Sequence, residues 1–241
     1  MKRKDTKHQP HPSAPADAAP ILEVVDSKKQ LSQAVDDSLE LLNLHLEMFE
    51  GVLPYAEKYG HPHPTDTRGW SQILISALTG ILGLKRKKGA DLEDGSDVKA
   101  ANTWGAIDTP RFNGVIKAGT QGAGAGTLAS LDSMPYLFFV LWDHEPQSTE
   151  ARCRVWVVRT QKDAVFRGVA SSWYEKKDRG EIISNNFQLH PPRNKNTNVF
   201  TNTSGNLEYP LLFEARRRSK GFECINYRPE VLKSGQCIKL T

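Results

Sequence analysis

The sequence predicts an α/β protein, in which helices and β-strands build one core. Three observations predict this class: two early stretches place apolar residues at helical spacing, two later stretches are continuously apolar over strand length, and another helical stretch follows them. With 241 residues, the chain can bury a substantial core in one main domain. It has no window near the ~18 apolar residues of a membrane span and no apolar signal core, so we expect a cytoplasmic protein without membrane contact.

Charge and cysteine content narrow the classes of partner. The formal net charge is +4, but residues 21–60 hold three Lys or Arg against eight acids, and residues 61–241 hold 25 against 18. A basic body of this kind is compatible with a polyanionic partner such as nucleic acid. The three cysteines show no CxxC spacing, which argues against a disulfide framework or a thiolate zinc site.

The start of the chain divides into a polar tail and a helical region. Residues 1–20 are rich in Pro, Ala, Lys and His, and we expect a disordered tail there. In the helical region, residues 21–66, apolar residues recur at steps of three and four over residues 27–54. This spacing predicts one long helix that ends at Pro54. Its apolar face would pack against the body of the protein or, as the alternative, form a dimer seam.

Residues 67–241 are expected to form the main domain. Its Gly/Thr-rich stretch at 102–133 lacks the strand-to-helix setting of a dinucleotide-binding loop, so we expect a mobile loop near the ligand. The other predicted elements, in chain order, are a core helix at 68–84, a tight β-hairpin at 90–101, apolar strands at 135–142 and 152–160, and a helix at 163–177.

A cluster of acids and one lysine lies within the predicted hairpin. Because side chains alternate along a strand, Asp97 and Lys99 share one face. The hairpin loop decides whether Asp91 joins them. A two-residue turn would put Asp91 on the far face, whereas a three-residue loop with glycine in its left-handed third position pairs Asp91 directly with Asp97.

Two carboxylates that face each other repel, so a positive charge is expected between them. A divalent cation would supply it, and hard oxygen ligands suit Mg²⁺, with Mn²⁺ as the expected substitute. Asp91 and Asp97 would hold the metal, and Lys99 would orient an attacking water or stabilise the developing charge. Glu50 of the long helix is an additional candidate ligand. The alternative is a solvated turn without chemistry, since the chain has four acid-x-Lys triplets.

The order of a helix, a hairpin with the pattern D-x(n)-D-x-K, further strands and a helix resembles the PD-(D/E)XK nuclease fold. The resemblance implies a mixed β-sheet flanked by helices. It matches Asp91 to the first acid, Asp97 to the second and Lys99 to the lysine. Ala90 stands where the family often has proline, and the gap between the acids is short, so Asp94 stays open as the alternative first ligand.

Within this superfamily, residues 89–104 and 107–113 are similar to small type II restriction endonucleases of the MamI-like family, and the resemblance spans residues 70–213. It implies a Mg²⁺-dependent, sequence-specific endonuclease of double-stranded DNA. Such an enzyme would act as a homodimer on a palindromic site, with a cognate DNA methyltransferase in the same system. The alternatives are another nuclease of the superfamily, acting in repair or junction resolution, and a non-catalytic DNA-binding protein.

Ten side chains are candidates for DNA contact. They are cationic, amide or aromatic groups that flank the hairpin or lie in the polar stretch at 190–198. Lys and Arg bind phosphates or read guanine, and Asn reads adenine. For Trp104, a core position is the alternative. The candidates are Lys87, Lys88, Asn102, Trp104, Arg111, Lys117, Arg193, Asn194, Lys195 and Asn196.

Overall fold

The structure is a computed structural model. The residues that it describes are 28–62, 66–85, 89–104, 110–116, 128–143, 150–193, 196–202 and 205–240. The predicted tail lies outside the described residues, as do five of the candidate DNA contacts: Lys87, Lys88, Lys117, Asn194 and Lys195. None of the described helices is long and apolar enough to cross a membrane.

Helices and strands alternate irregularly along the described part of the chain. The helices are α1 (Lys28–Tyr59), α2 (Arg68–Thr79), α3 (Ala129–Asp132), α4 (Ala164–Asp178) and α5 (Val231–Ser234). The strands are β1 (Asp97–Asn102), β2 (Leu137–Asp143), β3 (Arg152–Val158), β4 (Val199–Phe200), β5 (Leu207–Glu208), β6 (Leu211–Arg218), β7 (Gly221–Tyr227) and β8 (Ile238–Lys239).

A mixed five-stranded sheet forms the centre of the fold. Its strand order is β1-β2-β3-β6-β7, and β4, β5 and β8 form a small second sheet. β1 pairs with β2 in parallel, whereas β2 with β3, β3 with β6 and β6 with β7 are antiparallel pairs. The α/β class and the mixed sheet flanked by helices, which the resemblance implied, are therefore confirmed.

Two apolar clusters cover the two faces of this sheet. All seven residues of β2 and all seven of β3 are buried, because each strand has apolar neighbours on both faces. Phe138 packs in the cluster that includes Leu42 of α1 and Leu74 of α2. Phe139 points to the opposite face and packs in the cluster that includes Phe166 of α4. Helix α1 thus shares a core with the sheet.

The predicted ends of the first two helices are wrong. α1 continues through Pro54 to Tyr59, and buried Leu53 and Ala56 on either side of the proline hold the helix against the core. Proline removes one hydrogen bond from a helix, and here tertiary packing compensates for that loss. α2 ends at Thr79 because Gly80 adopts a left-handed φ of 73° and donates its amide hydrogen to Ser76.

The β-hairpin predicted over residues 90–101 does not form. β1 pairs along its whole length with β2, a more apolar strand that lies about 40 residues further along the chain. The segment before β1 is a turn instead, in which the amides of Asp91 and Leu92 both donate to the carbonyl of Ser96 at 3.1 Å. Gly95 has the expected left-handed φ, at 94°.

Candidate active site

The two acids and the lysine of the motif lie together at the start of β1. The backbone amide of Val98 donates to Oδ2 of Asp91 and to Oδ1 of Asp97, at 3.0 Å in each case. Lys99 Nζ lies 2.5 Å from Oδ2 of Asp97. The structure therefore brings together the three predicted residues, although a turn and not a hairpin positions Asp91.

The strand alternation that the sequence predicted explains the Asp97–Lys99 contact. Val98 is buried on one face of β1, and the side chains of Asp97 and Lys99 are about four-fifths buried on the other. β1 is an edge strand of the sheet, and Asp97 and Lys99 line a cavity on this face.

Asp94, the alternative first ligand, has a structural contact of its own. Its Oδ1 accepts from the amide of Ser96 at 2.9 Å, and its Oδ2 accepts from the Ser96 hydroxyl at 2.8 Å. The Ser96 hydroxyl also accepts from the amide of Tyr136, next to β2. Asp94 thus fixes the turn to the sheet, and the geometry favours Asp91 as the partner of Asp97.

Asp91 occupies an electrostatically unusual position. Its burial, together with a hydrogen bond and like-charge repulsion from Asp97, raises the pKa of Asp91 to about 6. The Val98 amide and Arg68 act in the opposite direction. Two carboxyl groups this close together cannot both be charged at low cost unless a cation is near.

Two partners of Asp91 come from α2, and sequence reasoning missed both. Gln72 Nε2 donates to Oδ1 of Asp91 at 2.7 Å, and Arg68 Nη2 donates to the same oxygen at 3.3 Å. The two residues are four positions apart, so they share one face of the helix. That spacing was visible in the sequence, but nothing there indicated that this face meets the acid cluster.

The cluster opens into a cavity of about 680 Å³. Its wall includes the three motif residues, the cation Arg68 from α2, and the segment at 110–116 with Arg111 and Asn113. The candidate DNA contact Arg111 therefore lies at the same cavity as the acids. Three positive side chains surround two carboxylates, an arrangement that suits a phosphodiester together with a cation.

Sequence comparison identifies the family of the chain. Residues 54–225 match the family model described as MamI restriction endonuclease, and this match contains every residue of the cluster. The chain belongs to that family. It is similar to the type II restriction enzyme MamI of Microbacterium ammoniaphilum, with 32% identity over 178 residues that cover 67% of this chain. The matched region spans only 56% of that enzyme. No solved structure was found to match the chain.

In this MamI-family chain, the remaining described DNA-contact candidates lie outside the cavity wall. Asn102 ends β1 and is half-buried. Trp104 is only 2% exposed and packs against Phe49, with ring centroids 4.8 Å apart, and against His45 at 5.8 Å. Trp104 is therefore a core residue, which is the alternative to a DNA contact.

Two further candidates belong to the polar stretch after residue 190. Arg193 is half-buried, and its amide donates to the carbonyl of Pro191 at 2.9 Å. Asn196 is exposed, but its Oδ1 accepts from Arg152 Nη1 and from Arg216 Nη2, both at 3.2 Å. Asn196 thus helps to hold this stretch against the sheet.

The donor set at the cluster fits one mode of Mg²⁺ binding. Among the residues that the structure describes, no group of three or more His, Cys, Asp or Glu side chains could hold a metal ion. Mg²⁺ commonly uses one or two carboxylates and completes its shell with waters and substrate phosphates, so the Asp91–Asp97 pair is sufficient. Glu50 does not join the pair because its Oε1 accepts from Arg217 Nη1 at 2.7 Å.

Proposed function

We propose that this chain is a divalent-metal-dependent, sequence-specific endonuclease that hydrolyses double-stranded DNA. The observation that carries the proposal is the convergence of Asp91 and Asp97 on the Val98 amide, with Lys99 bound to Asp97. This cluster lies inside the region that matches the restriction endonuclease family. The chain spans 56% of the similar enzyme, so its own activity is a matter for direct test.

In the proposed mechanism, Asp91 and Asp97 hold the metal, with Mg²⁺ expected and Mn²⁺ as its substitute. When bound, such a metal polarises the phosphodiester and lowers the pKa of a coordinated water. Gln72 and the Val98 amide fix the orientation of the Asp91 carboxylate. Both carboxylates accept from the Val98 amide, which keeps them side by side.

The cations of the cavity have complementary roles. The Lys99 ammonium group, held by Asp97, would hydrogen-bond the attacking water or offset the charge that develops on phosphorus oxygens. Arg68 would bind a phosphate oxygen beside the scissile bond. Hydrolysis then joins a water oxygen to phosphorus and releases one ester oxygen as a hydroxyl group.

The proposal extends to the assembly and its setting. Cutting both strands of a palindrome with one active site per chain requires two-fold symmetry, so the working unit is a homodimer. A cognate DNA methyltransferase would protect the same site in the host, and both enzymes would act in the cytoplasm.

The first experiment replaces Asp97 by Asn, which keeps the side-chain shape but removes the charge. We expect Asp97→Asn to reduce plasmid cleavage in Mg²⁺ by at least about a hundredfold, because one of two metal ligands loses its charge, while duplex binding persists. The matched control is Glu175→Gln, since Glu175 begins another acid-x-Lys triplet and is exposed on α4. Unchanged cleavage by the Asp97 variant, or equal loss in both variants, would contradict the assignment.

A further inference from the structure

Three segments pair in antiparallel fashion beside the catalytic cavity, and the two nearest to it, at 110–116 and 187–190, are here called the ribbon. Phe112 and Leu189 exchange both backbone hydrogen bonds, at 2.8 and 3.2 Å, so they are direct antiparallel partners. Beyond Gly114, which has a left-handed φ of 60°, the register shifts: the amide of Val115 donates to the carbonyl of Phe187, and the amide of Phe187 donates to the carbonyl of Ile116. On the other side, His190 and Thr201 exchange both backbone bonds at 3.0 Å. The segment at 110–116 is thus anchored to the rest of the fold.

The two faces of this ribbon differ in character. Phe112 and Leu189 are at most 1% exposed and point into the core. Because side chains alternate next to a bridged pair, Arg111 and Asn113, which flank Phe112, and Gln188 and His190, which flank Leu189, lie on the opposite face. Arg111 and Asn113 are exposed, and Gln188 and His190 are half-buried. We call these four residues the ribbon face: Arg111, Asn113, Gln188 and His190.

Half of the ribbon face lies at the catalytic cavity. Arg111 and Asn113 line the cavity that holds Asp97 and Lys99. Gln188 and His190 line a second cavity of about 480 Å³. Its wall also includes Lys176, Glu181 and the turn in which the amide of Asn186 donates to the Ser184 hydroxyl. The four residues of the ribbon face thus line two cavities, one of which holds the motif residues.

The chemistry of the ribbon face matches the edges of bases. An arginine donates two hydrogen bonds to guanine O6 and N7, and asparagine or glutamine pairs with adenine N6 and N7. β-strands of DNA-binding proteins can read base edges in the major groove of B-DNA. None of the four side chains is acidic, so the ribbon face does not repel the phosphate backbone.

The polar stretch after residue 190 uses its amide oxygens within the protein. Oδ1 of Asn196 accepts from Arg152 and Arg216, and Oδ1 of Asn198 accepts from Trp156 Nε1 at 3.0 Å. The carbonyl of Thr197 accepts from Arg154 at 3.3 Å. These bonds anchor residues 196–198 on β3 and β6.

We propose that the ribbon face reads base edges in the major groove of the duplex that the catalytic cluster cuts. Arg111, Asn113 and Gln188 are the specificity-determining residues in this proposal, which rests on the proposed endonuclease function. Phosphate contacts position a duplex but carry no sequence information, and these three groups supply that information next to the scissile bond.

The test selects duplexes from a randomised pool with the full chain, with Ca²⁺ in place of Mg²⁺. The parent protein is expected to enrich one defined sequence. Asn113→Ala and Gln188→Ala should each lose the preference at one or two base pairs and weaken binding of a duplex with the enriched sequence about tenfold or more. Binding of a scrambled duplex, and its salt dependence, should stay unchanged. The control is Gln161→Ala, an exposed amide outside the ribbon face.

A second pair of variants keeps the test informative if the alanine variants unfold. Asn113→Asp and Gln188→Glu retain side-chain size and replace an adenine-pairing amide with a carboxylate that accepts from cytosine N4. We expect these variants to enrich a sequence that differs at the same base pairs. Enrichment of the parental sequence by all four variants would overturn the proposal. Equal weakening on every duplex with a smaller salt dependence would also overturn it, because it would indicate phosphate contacts.

Failure of this inference and failure of the proposed function give different results. A parent that cuts plasmid at a fixed sequence, with ribbon variants that keep its preference, contradicts only the ribbon face. A parent that enriches a sequence and loses it in the ribbon variants, but never cuts DNA in Mg²⁺, contradicts only the endonuclease function. A parent that enriches no sequence contradicts base reading altogether.

Discussion

Asp91 is held at both oxygens of its carboxylate. Oδ2 accepts from the Val98 amide, and Oδ1 accepts from Gln72 of α2 at 2.7 Å. Asp97, in contrast, is oriented by the strand that carries it and by Lys99. The helix and the strand together thus fix Asp91, whereas the strand and Lys99 fix Asp97. Bonds of this kind orient the ligands of a metal, which is the role proposed for this pair.

Replacing Gln72 by Leu should slow DNA cleavage about tenfold or more and raise the Mg²⁺ concentration needed for half-maximal rate, because Asp91 loses a bond that orients it. Single-turnover cleavage across a Mg²⁺ titration measures both quantities. The matched control is Gln33→Leu, which removes an exposed Gln–Asp hydrogen bond of 2.6 Å on α1. If the Gln72 and Gln33 variants cleave alike, Gln72 has no positioning role.

At the scale of elements, α1 contributes a buried histidine to the core. His45 is 5% exposed and lies among aromatic rings, with centroids of Trp142 at 4.3 Å and Trp70 at 5.1 Å. Burial lowers the pKa of His45 to about 4. The folded protein therefore keeps this histidine neutral at a pH where the unfolded chain, with a usual pKa of 6.5, binds a proton.

This difference gives a pH-dependent stability with a definite sign. The contribution of neutral His45 to the free energy of unfolding is fully present above about pH 6.5 and is lost as the pH falls towards 4. Between pH 7 and pH 5 the wild-type protein should lose about 2 kcal/mol of unfolding free energy through this group, and His45→Phe should not. Denaturant unfolding of both proteins at the two pH values measures this. If the unfolding free energies of the two proteins differ by the same amount at both pH values, the prediction is contradicted.

The elements differ in how far local sequence determines them. β2, β3 and α4 lie within two residues of their predicted bounds, because apolar runs and the Asp163 cap are local signals. The hairpin was wrong because the partner of Asp97 is Leu137, and a local turn signal carries no information about a partner so distant in the chain. The motif predicted that Asp91, Asp97 and Lys99 belong to the site. The contact of Gln72 with Asp91 depends on how α2 packs, which no local motif shows.

At the scale of the whole molecule, charged side chains of both signs meet at one cavity. Two carboxylates lie at an edge strand of the mixed sheet, and Lys99, Arg68 and Arg111 line the same cavity. The chain has a net charge of +4, yet the acids that lower this total include the proposed metal ligands. A negative site within a basic surface can bind a cation and a polyanion at once.

The most direct test of the central claim is to sequence the ends of the fragments that the purified chain produces from a plasmid in Mg²⁺. The account predicts that all ends map to one short sequence that occurs at every cut, and that chelating the metal with EDTA abolishes cleavage. Fragment ends scattered over unrelated sequences, or cleavage that persists in EDTA, would contradict it.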